Sequence, residues 1–182
     1  MPRLAVNDPA EAPEASRPLL EGVRRKIGMV PNLMRVLGSS PAALNGYLDL
    51  SGALAGDSLP AALRERLALA VGEANGCDYC VSAHAFLGGK AGIDAADIDR
   101  ARDGHSADAQ QDAALVFARA VQANAGRVDD AALAAVRAAG WSDAAIVEII
   151  SHVALNVLTN SINNVARTPV DFPAAPPRRA AA

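Results

Sequence analysis

The chain of 182 residues predicts an all-α protein, and three observations carry that expectation. Aromatic residues make up only 3% of it and alanine is abundant, a composition that favours helix over strand. Val, Ile and Thr do not gather into short alternating runs, so no segment has the two-residue period of a half-buried strand. Finally, successive segments open on Ser or Asp and close near Gly, the residues that start and stop helices.

Taken in order, "PLLEGVRRKIG" predicts a short helix closed by Gly28, and "VPNLMRVLGSS" a second one after Pro31. "SPAALNGYLDLSGALAG" opens with Ser40 as cap and Pro41 at the first helical position. In "SLPAALRERLALAVGEANG" the residues Leu63, Leu67, Ala70, Val71 and Ala74 form a helical stripe, and Gly76 provides the stop. A helix from about Asp78 to Gly89 follows. "GIDAADIDRARDG", "SADAQQDAALVFARAVQANAG", "VDDAALAAVRAAG" and "WSDAAIVEIISHVALNVLTNSINNVA" complete a set of about eight or nine helices with short loops. Residues 1–16 and 169–182 are rich in Pro and Ala without periodicity and read as flexible arm and tail around one domain at 17–168. A weak echo sets Leu63, Glu65, Leu67 and Ala70 against Ile146, Glu148, Ile150 and Val153 at an offset of 83 residues, as an old helical duplication would.

An apolar content of 51% is enough for a proper core without a metal or cross-link. With a net charge of −3 and no basic run interleaved with aromatics, nothing in the sequence suggests a nucleic-acid surface. The opening residues lack the apolar core of a signal peptide, and no stretch reaches about 18 uninterrupted apolar residues. The expectation is a cytoplasmic protein with neither nucleic acid nor membrane as partner.

The chemistry concentrates in "GCDYCVSAH". Cys77 and Cys80 are the only cysteines, and His84 is one of three histidines. Gly76 ends one helix and Cys77 begins the next, so both sulfurs fall in the first turn, where unpaired N–H groups and the helix dipole favour an anion. Spacings of three and four put Cys77, Cys80 and His84 on one face. A cysteine at a helix start beside a histidine meets the conditions for a nucleophilic thiolate, and its neighbour is near enough to close a disulfide. Three other readings compete. A zinc site would need a fourth ligand from His105, His152 or a carboxylate; a structural cross-link would close a very small loop; the cysteines could also be buried and inert.

If the helix of residues 61–75 turns back at Gly76, a rise of about 1.5 Å per residue sets His84 level with residues 66–68 and Cys80 level with 71–72. Glu65 can then reach His84 or, through a water, Cys80. It shares its face with Ala68, Leu69 and Gly72, a half-buried setting suited to moving protons. Glu73 is its competitor, nearer Cys77 in height but at a different angle. In the last long helix Glu148, His152, Asn156, Asn160 and Asn163 make a polar stripe on an otherwise apolar element. It must face solvent, a subunit interface or the wall of an active-site cavity.

Glu65, Cys77-x-x-Cys80 and His84 together resemble the E-x11-C-x2-C-x3-H signature of the AhpD-like alkylhydroperoxidases, within the carboxymuconolactone decarboxylase superfamily. "VPNLMRVLGSSP" and "VALNVLTNSINNVARTPVDFP" are similar to the flanks of its peroxidase-related members, and the resemblance covers residues 20–172. It implies a single-domain helical bundle assembled into trimers or hexamers. It also implies a thiol peroxidase cycle with no cofactor, neither metal nor flavin. Position by position it makes Cys80 the peroxidatic thiol, Cys77 the resolving thiol, and Glu65 and His84 the proton relay. The partners would be a peroxide and an external lipoyl- or thioredoxin-like dithiol. Tyr79 stands where the best-described members carry a second histidine, so part of their relay would be either missing or replaced by the phenol. Tyr79, Glu73, His152 and Asn156 are the further candidates for lining the site. Decarboxylase members generally lack the cysteine pair, which argues against lactone chemistry; a non-catalytic helical assembly protein is the rival from another class.

Overall fold

The computed structural model describes residues 1–56 and 58–175. Among them the chain forms nine α-helices and no strand: α1 (Arg17–Ile27), α2 (Asn32–Leu37), α3 (Pro41–Leu54), α4 (Ala61–Ala74), α5 (Asp78–Lys90), α6 (Ala95–Arg102), α7 (Ala109–Ala123), α8 (Asp130–Ala138) and α9 (Asp143–Ala166). A single 3-10 turn, Glu14–Ser16, leads into α1. The punctuation works as local chemistry requires. Ser40, Asp94, Asp108, Asp129 and Ser142 each accept the N–H three residues on, at Ala43, Asp97, Gln111, Ala132 and Ala145, and such caps contribute about 1 kcal/mol apiece.

Two helices organise the rest. α4 packs against α5, α6, α7 and α9, while α9 also touches α2, α3, α5 and α7. Leu63, Leu67, Leu69, Ala70 and Val71 of α4 are fully shielded from solvent. Leu63, Leu67, Ala70 and Val71 form the main core with Leu115 and Phe117 of α7 and Ile146, Ile149 and Val153 of α9, and each buried leucine is worth roughly 1.5–3 kcal/mol. A second cluster joins Leu20, Leu33, Met34, Leu37 and Leu44 of α1–α3 to Cys77, Tyr79, Cys80 and Ala83. The cysteine turn therefore sits in packed surroundings between the central pair and the N-terminal helices.

α4 and α5 form a tight antiparallel hairpin. Gly76 takes a left-handed φ of 58° at the turn, which a glycine adopts without strain. Gly72 faces α5 so closely that an added Cβ would lie 3.5 Å from Cys80 Cβ and 3.6 Å from Val81 Cγ2. This near approach sets Glu65 opposite His84.

α9, at 24 residues, is long and apolar enough by length and composition to cross a bilayer. Its inward side carries Ile149 and Val153 together with the buried polar side chains His152, Asn156, Asn160 and Asn163, the pattern of a core helix. The termini also pack. Ala12 and Ser16 are buried, and the Arg3 N–H donates to Ala166 O at 2.7 Å. In the C-terminal segment the Asp171 carboxylate accepts the Asn32 N–H at 2.8 Å, and Ser82 Oγ accepts the Ala175 N–H at 3.2 Å. Residues 169–175 thus lie as a strap across α2 and α5; the remainder of the expected tail, 176–182, lies outside the described residues. In the echo between α4 and α9, Leu63 and Ile146 are both buried, as are Ala70 and Val153, whereas Leu67 is fully buried and Ile150 is 40% exposed.

Candidate active site

Cys77 is the N-cap residue of α5. Its N–H donates to Gly72 O at 2.9 Å, closing α4, and its Sγ accepts the Cys80 N–H at 3.3 Å. A sulfur thus does the capping work that Ser or Asp does elsewhere, and Cys80 falls at the third helical position, within reach of the positive end of the dipole. Both cysteines are buried and reduced.

The two thiols are strongly differentiated. Cys80 is held down to about 6, first by a hydrogen bond from the Cys77 thiol, against the opposing effect of burial. The Asn163 amide, the nearby His84 and the Asn160 amide lower it further. The contact from Asn163 is direct, with Nδ2 donating to Cys80 Sγ at 3.2 Å. Cys77 moves the opposite way, because its proton is committed to the Cys80 sulfur and its site is desolvated. Cys80 is therefore the thiolate and Cys77 the thiol in the reduced pair.

His84 Nδ1 lies 2.7 Å from Glu65 Oε2, with both side chains about a quarter exposed. Burial pushes the imidazole down, but the carboxylate's charge and hydrogen bond, with the Cys80 thiolate behind them, leave it raised above its ordinary value. A protonated imidazole is thus stabilised beside an ionised sulfur.

A cavity of about 700 Å³ opens onto Cys80, Glu65 and His84. Tyr79, His152 and Asn156 line it too, as do Leu33, Met34, Phe86 and Phe172. Glu73 is placed elsewhere. Its carboxylate accepts from Arg102 Nε at 2.8 Å and borders a separate cavity of about 370 Å³ that also touches Cys77. The guanidinium on α6 draws it away, which the angle along α4 alone did not reveal. The polar stripe of α9 divides by depth: Glu148 turns to Ser58, whereas His152 and Asn156 face the cavity and Asn163 reaches the sulfur. Asn163, whose contact with Cys80 spans 83 positions, was visible in the sequence only as one member of that stripe.

The Tyr79 hydroxyl accepts the Leu33 N–H at 3.2 Å, and its ring meets Phe172 edge-on with centroids 5.8 Å apart. Burial pushes the phenol's ionisation well up, with the Asp171 charge adding to it against the pull of the Leu33 N–H. The side chain is anchored to α2 and the C-terminal strap. The zinc reading finds no support in the donor set, since no group of three His, Cys, Asp or Glu side chains is arranged to hold a metal among the described residues.

Residues 41–123 match the model of the carboxymuconolactone decarboxylase family. The structure is similar to the AhpD core of an uncharacterised peroxidase-related protein from Ralstonia eutropha JMP134, at 26% identity over 93% of this chain and 92% of that one, with a TM-score of 0.84. A peroxidase-related protein from Silicibacter sp. TM1040 superposes with a TM-score of 0.79 at 23% identity over 92% of this chain and 89% of that one. The debrominase Bmp8 does so with a TM-score of 0.73 at 21% identity over 87% of each chain. No curated protein sequence matches. The family model thus lies over the segment that holds the motif, and the fold is similar to an AhpD-core structure along nearly its full length.

Proposed function

We propose that this protein is a thiol-dependent peroxidase that reduces organic hydroperoxides through the Cys77/Cys80 dithiol. The observation that carries the reading is the convergence on one cavity of an acidic Cys80 thiol and a carboxylate-backed imidazole, with the Cys77 thiol hydrogen-bonded to the same sulfur. Cys80 thiolate attacks the terminal peroxide oxygen, the O–O bond breaks, and the sulfur becomes a sulfenic acid. The departing alkoxide takes a proton from the His84 imidazolium, which Glu65 orients and stabilises. Cys77 then displaces water from the sulfenic acid to form the disulfide, and an external dithiol reduces it by two thiol exchanges. Such a cycle belongs in a reducing compartment such as the cytoplasm.

Stoichiometric peroxide added to the reduced protein tests this directly. Two thiols should disappear per chain with one disulfide formed, and a lipoyl- or thioredoxin-like dithiol should restore both. Retention of both thiols at millimolar peroxide would overturn the reading.

The cavity supports a second use of the same two electrons. Its volume exceeds what a small peroxide needs, and Leu33, Met34, Phe86 and Phe172 offer an apolar, aromatic wall. The structural neighbour Bmp8 is a debrominase, also solved as a cysteine-to-alanine variant with 2,3,4-tribromopyrrole. Here Cys80 thiolate would take the halogen from an aromatic carbon that gains a proton from His84, and Cys77 would expel halide as the disulfide forms. Halide release in step with thiol loss distinguishes this from peroxide reduction. For the assembly, α9 leaves Val147, Ile150, Val157, Leu158 and Val165 at least a third exposed, an apolar surface suited to a homo-oligomer contact.

A further inference from the structure

A chain of part-buried amides leads to the buried Asn160, and its directions are not free. Gln122 on α7 donates through Nε2 to the Val71 carbonyl at 3.5 Å and to Asn75 Oδ1 at 2.7 Å. A backbone carbonyl can only accept, so the end of Gln122 that faces it must be the NH₂. That makes the Asn75 group nearest Gln122 its oxygen, and Asn75 Nδ2 donates onward to Asn160 Oδ1 at 2.8 Å. The Asn160 amide is thereby fixed with its own NH₂ pointing away from Asn75. Asn160 is 0% exposed, and its Nδ2 is buried without a hydrogen-bond partner among the described residues. A neutral buried N–H left unpaired costs on the order of 1–3 kcal/mol, so its retention asks for a reason. Asn160 is among the side chains that hold the Cys80 thiol down, and Asn163 Nδ2 contacts the same sulfur at 3.2 Å. Asn163 differs in one respect: its Oδ1 also lacks a partner, so nothing but the sulfur sets its direction.

We infer that the relay Gln122–Asn75–Asn160 is a positioning device that holds the Asn160 NH₂ toward Cys80, so that two amides from α9 hold this sulfur as a thiolate. The inference rests on the assignment of Cys80 as the reactive sulfur in the function proposed above. Asn163 touches the reacting atom; Asn75 and Gln122 act only through Asn160. The array is neutral, so it favours the anion by oriented dipoles in a desolvated site without adding a charge that would bind counter-ions.

The test reads the sulfur rather than turnover. The rate of Cys80 alkylation by iodoacetamide is measured against pH on the full, reduced chain, with the site resolved by peptide mass spectrometry. Asn160→Leu removes the donor at similar volume and no change in charge. It is expected to raise the alkylation midpoint by about one unit, seen as roughly tenfold slower alkylation at pH 5. Gln122→Met, two side chains removed from the sulfur, is expected to move the midpoint the same way by a smaller amount. Asn164→Leu removes only an exposed donor to the Asn75 carbonyl, a bond of 2.8 Å, and should leave the midpoint where it was. The titratable groups near Cys80 are Cys77, Tyr79 and His84 on its own helix, Glu65 on α4, Tyr47 on α3 and His152 on α9, and all are retained in every variant. A purely structural role would lower the melting temperature with an unmoved midpoint. Folded Asn160→Leu and Gln122→Met proteins with the wild-type midpoint would overturn the inference; should Asn160→Leu not fold, Gln122→Met alone decides. No peroxide enters the assay, so a shifted midpoint in a protein without peroxidase activity would uphold the array and remove the peroxidase reading.

Discussion

Glu65 Oε2 and His84 Nδ1 face each other at 2.7 Å across the α4–α5 hairpin, joining two residues 19 positions apart. The reversal at Gly76 brings them together, and the result is an imidazole raised above its ordinary value one helical turn from a sulfur lowered below its own.

Removing that carboxylate should disturb both protons. In Glu65→Gln the imidazole loses the charge that raises it, so His84 becomes more neutral near pH 7 and Cys80 loses part of the positive field that lowers it. Peroxide turnover should fall by about 10²-fold, within the range of general acid–base contributions, when hydroperoxide consumption is followed with excess dithiol. Activity within twofold of wild type would remove Glu65 from the relay.

The cysteine variants should fail differently. Cys80→Ser should abolish turnover, whereas Cys77→Ser should complete one oxidation and stop, leaving a sulfenic acid at Cys80 that dimedone traps and mass spectrometry locates. Steady-state activity surviving in Cys80→Ser would defeat the assignment of nucleophile.

The pH profile of that first oxidation follows from a thiol at about 6. Because the thiolate is the reactive form, the rate should rise through pH 6 and level off above about 7, with roughly a tenfold loss at pH 5. A rate that climbs only beyond about pH 8, as for an ordinary cysteine, would contradict the site's electrostatics. Single-turnover stopped-flow measurements over this range make the distinction.

Gly72 offers a test of packing. Its Cβ position lies 3.5 Å from Cys80 Cβ and 3.6 Å from Val81 Cγ2, ordinary contacts, so Gly72→Ala should fit and stabilise the helix by about 0.5–1 kcal/mol. Gly72→Val adds branches where α5 already stands and should cost about 1–3 kcal/mol while displacing Cys80. Denaturant titration of the two variants should give opposite signs.

What the sequence by itself determined is what nearby residues decide. Ser40, Asp94, Asp108, Asp129 and Ser142 start helices because each side chain satisfies an N–H three residues away, a choice requiring no knowledge of the rest of the chain. The face shared by Cys77, Cys80 and His84 follows from helical spacing, and the Glu65–His84 pair from two short helices reversing at a glycine. Only the tertiary structure decided which distant elements complete the site. Glu73 yields to Arg102 on α6, Tyr79 is claimed by the Leu33 N–H and Phe172, and Asn163 of α9 turns inward to a sulfur 83 positions away. The physical reason is that periodicity shows a polar stripe exists, whereas its partner is set by the packing of α9 against five other helices at once, and those angles are written in no local stretch.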